Sequence, residues 1–185
     1  MTKAELRQSF RLRRQHLSAP ERQAASRNLV AQFLEFSQPF QRIALYHAAA
    51  GELDLQPLAE YLSTQDKDLY QPVAYRESRL LDFERYRSQD PLKDPIIFYP
   101  GGYQLTGAIA RAQLDLVLVP LVAIDHTGQR LGQGGGYYDA SFAARSPRPI
   151  LCGVGYDWQL VAPLPQHDWD VAMDYFISDT RLIRF

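Results

Sequence analysis

The chain has 185 residues, of which 46% are hydrophobic and 22% are charged, with 20 basic against 21 acidic side chains. This length and balance are typical of one globular domain with a substantial core, so we expect residues 1–185 to form a single domain. The near-neutral charge excludes a global attraction to nucleic acid or to an anionic membrane surface. Any affinity for phosphate must therefore be local. We also expect a monomer.

The apolar and cysteine content gives two further exclusions. The longest apolar stretch, residues 116–124, contains Pro120 and is less than half the roughly 20 residues that a membrane-spanning helix needs. The charged N-terminus has neither the apolar run nor the cleavage site of a signal peptide, which favours a cytoplasmic location. The lone Cys152 cannot form an intrachain disulfide and lies in an apolar run, as core residues do.

Residues 3–36 carry apolar side chains at helical spacing, which predicts two helices with a break at residues 18–21. Ser18 can cap the second helix, Pro20 suits its first turn, and Glu21 completes a capping box. The first helix is basic, and a solvated charged face is the ordinary interpretation of such a helix. Its basic residues are Lys3, Arg7, Arg11, Arg13 and Arg14.

The rest of the chain alternates strands with helices. Strands are predicted at 43–47, 69–75, 80–86, 115–119, 150–156 and, as the last one, 175–178, and helices at 55–65 and 138–144. The continuous apolar run at 115–119 is typical of a central parallel strand covered on both faces, whereas the alternation at 80–86 favours one solvated face. Residues 90–111 are predicted to be irregular. We therefore predict an α/β fold with a mostly parallel central sheet flanked by helices, and a ligand site at the carboxyl ends of its strands.

A glycine-rich segment, RLGQGGGYYD, follows the predicted central strand at residues 130–139. Its glycines are Gly132, Gly134, Gly135 and Gly136. They permit positive φ and let successive N–H groups approach an anion, while Arg130 adds a permanent charge and a helix from Tyr137 or Tyr138 would add free N–H groups. No Gly-Lys pair occurs, which excludes a Walker A loop, and Tyr137 stands where a dinucleotide fingerprint needs a third glycine or alanine.

An ordinary surface turn is the alternative interpretation, because glycine clusters are common in turns. The residues that follow favour a binding site. Tyrosine rings stack on planar heterocycles, and Asp139 offers hard oxygen to Mg²⁺, which prefers few protein carboxylates together with nucleotide phosphates and water.

Residues 115–139, DLVLVPLVAIDHTGQRLGQGGGYYD, resemble the hallmark segment of the 5-formyltetrahydrofolate cyclo-ligase family. The resemblance extends to the basic N-terminal helix with Lys3 and Arg7, to the GELD turn with Glu52, and to the C-terminal segment with Asp170. It implies a three-layer, Rossmann-like fold of the NagB, RpiA and CoA-transferase type.

The resemblance also implies a reaction. ATP phosphorylates the formyl oxygen of 5-formyltetrahydrofolate, N10 attacks the activated carbon, and phosphate leaves to give 5,10-methenyltetrahydrofolate, with magnesium assisting. A formamide oxygen is a poor leaving group that phosphorylation makes into a good one, so catalysis would rest on positioning and charge neutralisation.

Carried over residue by residue, the resemblance implies four sets of site residues. ATP would contact Lys3, Ala4, Glu5, Leu6, Arg7, Arg130, Leu131, Gly132, Gln133, Gly134, Gly135, Gly136, Tyr137 and Tyr138. The folate would contact His47, Glu52, Gln133, Gly134, Gly135, Gly136 and Tyr137, with Glu52 accepting hydrogen bonds from the pterin. Asp139 and Asp170 would hold magnesium, and Arg130, Tyr137 and Asp139 would be catalytic. Taken singly, Glu52, Asp139 and Asp170 are as readily interpreted as turn or cap residues.

The chain departs from the family at two places. Many members have a basic residue inside the glycine loop, where this chain has Gln133 and Gly135, and the family tends to have Glu-Pro where this chain has Tyr99 and a proline. A non-catalytic nucleotide- or folate-binding homologue is therefore one alternative to an enzyme. A nucleic-acid-binding accessory that uses the basic helix is another, which the near-neutral charge disfavours. The histidines show no metal-ligand spacing, so zinc is not predicted.

Overall fold

The computed structural model describes residues 2–36, 39–49, 51–75, 77–87, 98–99, 104–145 and 149–185, with the backbone alone for 98–99. The helices in these ranges are α1 (Lys3–Gln15), α2 (Ala19–Phe33), α3 (Gln56–Thr64) and α4 (Tyr137–Phe142). The strands are β1 (Arg42–Ala44), β2 (Asp68–Tyr75), β3 (Asp82–Arg85), β4 (Phe98–Tyr99), β5 (Leu116–Pro120), β6 (Ala123–Asp125), β7 (Arg130–Leu131), β8 (Ile150–Val154), β9 (Leu160–Val161), β10 (Tyr175–Ile177) and β11 (Leu182–Arg184). No helix in the described ranges is both long enough and apolar enough to cross a membrane.

The two N-terminal helices begin at capped residues. Ser18 and Glu21 form the predicted capping box of α2, with Pro20 in its first turn. Thr2 and Glu5 form a second capping box at the start of α1. The predicted break between the helices is therefore confirmed, and local side-chain chemistry accounts for it.

The main sheet has the strand order β11-β10-β8-β5-β1-β2-β3, and β4 pairs with β2. Strands β10, β8, β5, β1, β2 and β4 pair in parallel, while β3 and β11 are antiparallel at the two edges. The predicted mostly parallel sheet is confirmed, and β5 lies near its middle between β1 and β8.

The sheet buries apolar side chains on both faces, because successive strand residues point to opposite sides. On β5, Leu116 and Leu118 join a core with α2 and α3, whereas Val117 and Val119 join a second core with α4. Helices therefore cover the sheet on both faces in three layers, as predicted. Cys152 is fully buried in the first core, as expected of a filler residue.

Helix α1 packs away from the main sheet. Strands β7, β6 and β9 form a small three-stranded sheet, and Leu6 and Phe10 of α1 pack on its buried residues Val122, Ala123 and Leu131. This packing places α1 beside the residues that follow β7, which are the glycine-rich segment.

Several sequence predictions need correction. Strand β3 does not have a simple solvated face, because Glu84 is 3% exposed and accepts hydrogen bonds from Gln71 Nε2 at 2.9 Å and from the N–H of Thr106 at 3.1 Å. The strand at 175–178 is not the last, since β11 follows it. Strand β1 ends at Ala44 rather than at residue 47, and the short strands β6, β7 and β9 were not predicted. Strand β4 was not predicted either, because it lies within residues 90–111, which were predicted to be irregular. The other residues of that part up to position 103 lie outside the described residues.

The turn between β6 and β7, which comes just before Arg130 in the chain, is held by Asp125, which is 1% exposed. Asp125 Oδ1 accepts hydrogen bonds from the N–H groups of Thr127 at 2.8 Å and Gln129 at 3.2 Å, and Oδ2 accepts one from the N–H of Leu164 at 3.0 Å. Burial by itself would raise the pKa of Asp125, but these hydrogen bonds outweigh it and hold the pKa below its usual value.

This depressed pKa predicts an acid-labile contribution to stability. The unfolded chain binds a proton at Asp125 near pH 4, before the folded chain does, so the stabilisation is present above about pH 4 and is lost as the pH falls further. We expect Asp125→Asn to lower the free energy of unfolding at pH 7 by about 2 kcal/mol and to flatten its decline between about pH 5 and pH 3. Urea denaturation followed by circular dichroism measures both effects. Glu35→Gln, at an exposed carboxylate, is the control, and a variant that follows the wild type across this pH range would contradict the prediction.

Candidate active site

The main cleft opens at the carboxyl end of β5, beside Pro120, and has a volume of about 940 Å³. The predicted site residues that line it are Lys3, Ala4, Arg7, Asp170 and every residue from Arg130 to Asp139. Ligand sites of open α/β sheets lie off the carboxyl ends of the strands, so the cleft is where the fold predicts one.

The glycine loop, residues 132–136, presents backbone N–H groups without protein acceptors. Gly134 and Gly136 have φ of 108° and 69°, which glycine adopts without strain. Within the described part of the chain, the N–H groups of residues 133–136 donate no hydrogen bond. Arg7 Nε donates to the carbonyl oxygen of Gly132 at 2.8 Å, and the next N–H points the opposite way because the peptide is planar and trans. Such successive free N–H groups form a concave site for an anion.

The two tyrosines after the glycines have different positions. The ring of Tyr137 lies so close to Gly135 that a Cβ on Gly135 would be 2.8 Å from it, so only glycine fits there without movement of the ring. Tyr138 is 9% exposed and stacks on Phe142, with ring centroids 6.5 Å apart. Burial raises the pKa of Tyr138 well above its usual value, so its hydroxyl stays protonated.

Two ion pairs stand on the wall of the cleft. Arg130 is 9% exposed, and its Nη1 lies 3.0 Å from Asp139 Oδ1 and donates to the carbonyl oxygen of Val171 at 2.8 Å. The N–H of Val171 in turn donates to Asp139 Oδ1 at 3.0 Å. In the second pair, Lys3 Nζ lies 2.6 Å from Asp170 Oδ2. The structure thus brings the start of α1, the glycine loop and the C-terminal segment together.

The two predicted magnesium residues fit a metal that arrives with phosphate. Among the described residues no group of three or more His, Cys, Asp or Glu is placed to hold a metal ion by itself. Burial alone would raise the pKa of Asp170, but hydrogen bonds from Lys3 and from the N–H of His167 outweigh it and lower the pKa. In the described structure, Oδ2 of Asp139 and Oδ1 of Asp170 accept no hydrogen bond. Two carboxylates with such oxygens suit Mg²⁺, which takes its other ligands from phosphates and water.

Glu52 belongs to a buried cluster behind the glycine loop, and it is 7% exposed. Its Oε1 accepts a hydrogen bond from Gln133 Nε2 at 2.8 Å and lies 3.6 Å from Arg14 Nη1, while Oε2 accepts one from the N–H of Ala49 at 2.9 Å. Arg14 Nη2 also donates to the carbonyl oxygen of Leu121. Burial lowers the pKa of Arg14, and the charge of Glu52 opposes that shift.

Glu52 also lines a second cavity of about 430 Å³ between α2 and the residues after β1. Gln133 lines the main cleft, and its side chain donates a hydrogen bond to Glu52. The predicted folate residue Glu52 and the predicted nucleotide residues are therefore neighbours on two sides of Gln133.

The structure does not bring every predicted site residue to the cleft. Glu5 completes the capping box at the start of α1, and Leu6 packs against the buried residues of the small three-stranded sheet. His47 does not line the main cleft, and its Nε2 lies 3.1 Å from Gln71 Oε1. Tyr99 lies in β4, but its side chain and all of position 100 are outside the described residues.

The sequence interpretation missed residues of two kinds. Arg79, His167 and Trp169 line the cleft; Trp169 is 68% exposed, and its ring centroid lies 4.7 Å from that of His167. Trp169 directly precedes Asp170, so its position in the C-terminal motif was an available signal. The other kind is support from α1: Arg11 Nη2 donates to Gln133 Oε1 at 2.8 Å, and Arg14 contacts Glu52.

Together these features define a class: an open, mostly parallel α/β protein with a basic, glycine-lined cleft at the carboxyl edge of its sheet. A family model for the 5-formyltetrahydrofolate cyclo-ligase family matches residues 1–179, and the chain belongs to this family.

Individual relatives agree with the family match. The chain is 30% identical over 145 residues to the 5-formyltetrahydrofolate cyclo-ligase of Escherichia coli (strain K12), and the alignment covers 76% of this chain and 79% of that protein. It is 30% identical over 174 residues to that of Haemophilus influenzae, which covers 91% and 93%. Its fold is similar to the NMR structure of Aquifex aeolicus 5,10-methenyltetrahydrofolate synthetase, with a TM-score of 0.77, 26% identity, and coverage of 100% of this chain and 93% of that one.

Proposed function

We propose that this protein catalyses the ATP-dependent cyclisation of 5-formyltetrahydrofolate to 5,10-methenyltetrahydrofolate, with release of ADP and phosphate. The observation that carries the proposal is the meeting of free loop N–H groups with Lys3, Arg7 and Arg130 in one cleft. With Arg79, four cationic side chains line the described cleft against the two carboxylates Asp139 and Asp170. The excess of positive charge suits a polyphosphate.

The nucleotide phosphates would lie on the glycine loop. In this proposal the N–H groups of residues 133–136 and the side chains of Lys3, Arg7 and Arg130 contact the phosphate oxygens, where charge-assisted hydrogen bonds are strong. Asp139 holds Arg130 in place through the ion pair and the shared contact with Val171. Magnesium bound at Asp139 and Asp170 would neutralise charge on the phosphates.

The folate would lie on the other side of the loop. Glu52 can accept hydrogen bonds from the N–H donors of the pterin, and Tyr137 offers a ring at the loop for stacking. Gln133 lines the cleft and contacts Glu52. It would then lie between the two ligands, which suits a reaction that joins the formyl oxygen of one to the terminal phosphate of the other.

The reaction then needs little covalent help from the protein. The formyl oxygen takes the terminal phosphoryl group as the bond to ADP breaks. N10 then attacks the formyl carbon and loses its proton, and the carbon–oxygen bond breaks as hydrogen phosphate leaves with that oxygen and that proton. Holding the two substrates in contact and stabilising the transferred charge are the contributions that the cleft can make.

A direct assay tests the proposal. Purified protein is mixed with 5-formyltetrahydrofolate, ATP and Mg²⁺, and methenyltetrahydrofolate absorbance, ADP and phosphate are measured together. We expect the three products in equal amounts and none of the methenyl product without ATP. Binding of folate and nucleotide with no product would instead support the non-catalytic homologue. Four properties stay predictions from the sequence: the single domain, the monomeric state, the cytoplasmic location, and the absence of nucleic-acid and membrane partners.

A further inference from the structure

Arg14 is the buried member of the basic helix α1. It is 2% exposed, whereas Lys3 and Arg7 on the same helix line the open cleft. Its guanidinium donates to the carbonyl oxygen of Leu121, just beyond β5, and faces Glu52 Oε1 at 3.6 Å. In the described structure its Nε has no hydrogen-bond partner.

A buried guanidinium is a costly way to stabilise a fold. Removing an arginine from water costs free energy, and apolar side chains of similar volume often serve stability equally well. What the guanidinium does supply is a rigid planar fork, anchored at the end of the central strand, whose other arm is presented to Glu52. The role of the buried Arg14 guanidinium is therefore to be sought in the Glu52 carboxylate that it contacts.

Arg14 also supports the backbone around Glu52. Gly51 has φ of 80°, and a Cβ on Gly51 would lie 3.0 Å from Arg14 Cβ, so the loop rests directly on this side chain. The other bonds to the Glu52 carboxylate come from neutral donors, the N–H of Ala49 and the side chain of Gln133. Among the described residues, Arg14 is the cation paired with Glu52.

We infer that Arg14 is a positioning residue for folate recognition, which holds the Glu52 carboxylate in place to accept hydrogen bonds from the pterin. The inference rests on the proposed function. It gives helix α1 two tasks: its first turns face the nucleotide cleft, and Arg14, about 10 Å further along the helix from Arg7, supports the folate contact.

A double-mutant cycle tests this inference. The variants are Arg14→Met, Glu52→Gln and the two combined, with Arg14→Lys as the conservative change. Arg13→Met is the matched control, because exposed Arg13 lies over the Trp158 ring at 4.2 Å and carries the same charge on the same helix. KM for 5-formyltetrahydrofolate, KM for ATP, kcat, the folate Kd without ATP and Tm are measured for each.

We expect Arg14→Met to raise the folate KM and Kd about tenfold and to leave KM for ATP within about twofold, because Arg14 acts through Glu52. The combined variant should bind folate no more weakly than Glu52→Gln alone, Arg14→Lys should recover part of the loss, and Arg13→Met should match the wild type.

Additive losses in the cycle, or equal rises in both KM values, would overturn the inference and leave Arg14 a structural residue. If Arg14→Met does not fold, Arg14→Lys alone and combined with Glu52→Gln completes the same cycle. A wild type that binds 5-formyltetrahydrofolate without turning it over contradicts the proposed function only, because the Kd cycle still tests Arg14. A wild type without folate binding contradicts both.

Discussion

Arg130→Met is expected to lower kcat/KM for ATP by about a thousandfold, because it removes a preorganised cation from the cleft that is proposed to bind the phosphates. The side chain of Arg130 is 5% exposed and is fixed by Asp139 and by the carbonyl oxygen of Val171. A charge held in this way needs no rearrangement when negative charge shifts during phosphoryl transfer. Steady-state kinetics with ATP as the varied substrate measures the effect.

Two further variants separate the charge of Arg130 from its geometry. Arg130→Lys keeps the charge but lacks the planar fork, so we expect a loss of about a hundredfold. Arg181→Met removes an arginine that pairs with Asp157 outside the cleft, and it should keep wild-type kinetics. If Arg130→Met stays within a few-fold of the wild type while its Tm is unchanged, Arg130 does not contact the phosphates.

Asp139→Asn is expected to lower kcat/KM for ATP by about a hundredfold and to raise the Mg²⁺ concentration needed for half-maximal activity about tenfold. The asparagine can still accept the hydrogen bond from the N–H of Val171, so the local backbone should hold. It loses the negative charge that pairs with Arg130 and that, in the proposed function, attracts the metal. Activity at several Mg²⁺ concentrations, together with the Kd of ADP with and without Mg²⁺, measures both effects.

The control for this change is Asp168→Asn, an exposed carboxylate close to Asp170 in the chain. We expect it to leave the Mg²⁺ dependence unaltered, whereas Asp170→Asn should shift that dependence in the same direction as Asp139→Asn. An Asp139→Asn variant with a wild-type Mg²⁺ dependence and a wild-type Kd for Mg²⁺-bound ADP would remove Asp139 from the metal site.

Local patterns were enough to predict much of the fold. The cap at Ser18 and Glu21 depends on residues three apart, and the buried run of β5 reflects cover on both faces, so neither needs knowledge of distant contacts. Strands β6, β7, β9 and β11 have two or three residues each, too few for an alternating pattern to show. The burial of Glu84 depends on Gln71 and on the backbone of Thr106, which only the folded chain brings together.

The site shows the same division between local and distant causes. The glycines, Arg130 and Asp139 are neighbours in the chain, and their shared cleft could be predicted from one segment. Arg13 and Arg14 could not be told apart by sequence, because both belong to a basic helix and only the packing of α1 buries the second of them.

The structure also shows what surrounds Gln133, which stands in the glycine loop where many family members have a basic residue. The loop has no cation of its own between Leu131 and Tyr138. Two arginines one turn apart on α1 reach it instead: Arg7 binds the carbonyl oxygen of Gly132, and Arg11 binds the Gln133 side chain. Gln133 is thereby held between α1 and Glu52, a pairing that no spacing in the sequence indicates.

The proposed function requires the loop N–H groups at residues 133–136 to bind the nucleotide phosphates, and the chemical shifts of these amides report that contact. In a titration of ¹⁵N-labelled protein with ADP and Mg²⁺, we predict saturable shifts that are largest for the amides of Gln133, Gly134, Gly135 and Gly136, with smaller shifts at Lys3 and Arg7. Saturable nucleotide binding that leaves these four amides unshifted, with the largest changes elsewhere in the chain, would show that the phosphates do not bind to the loop.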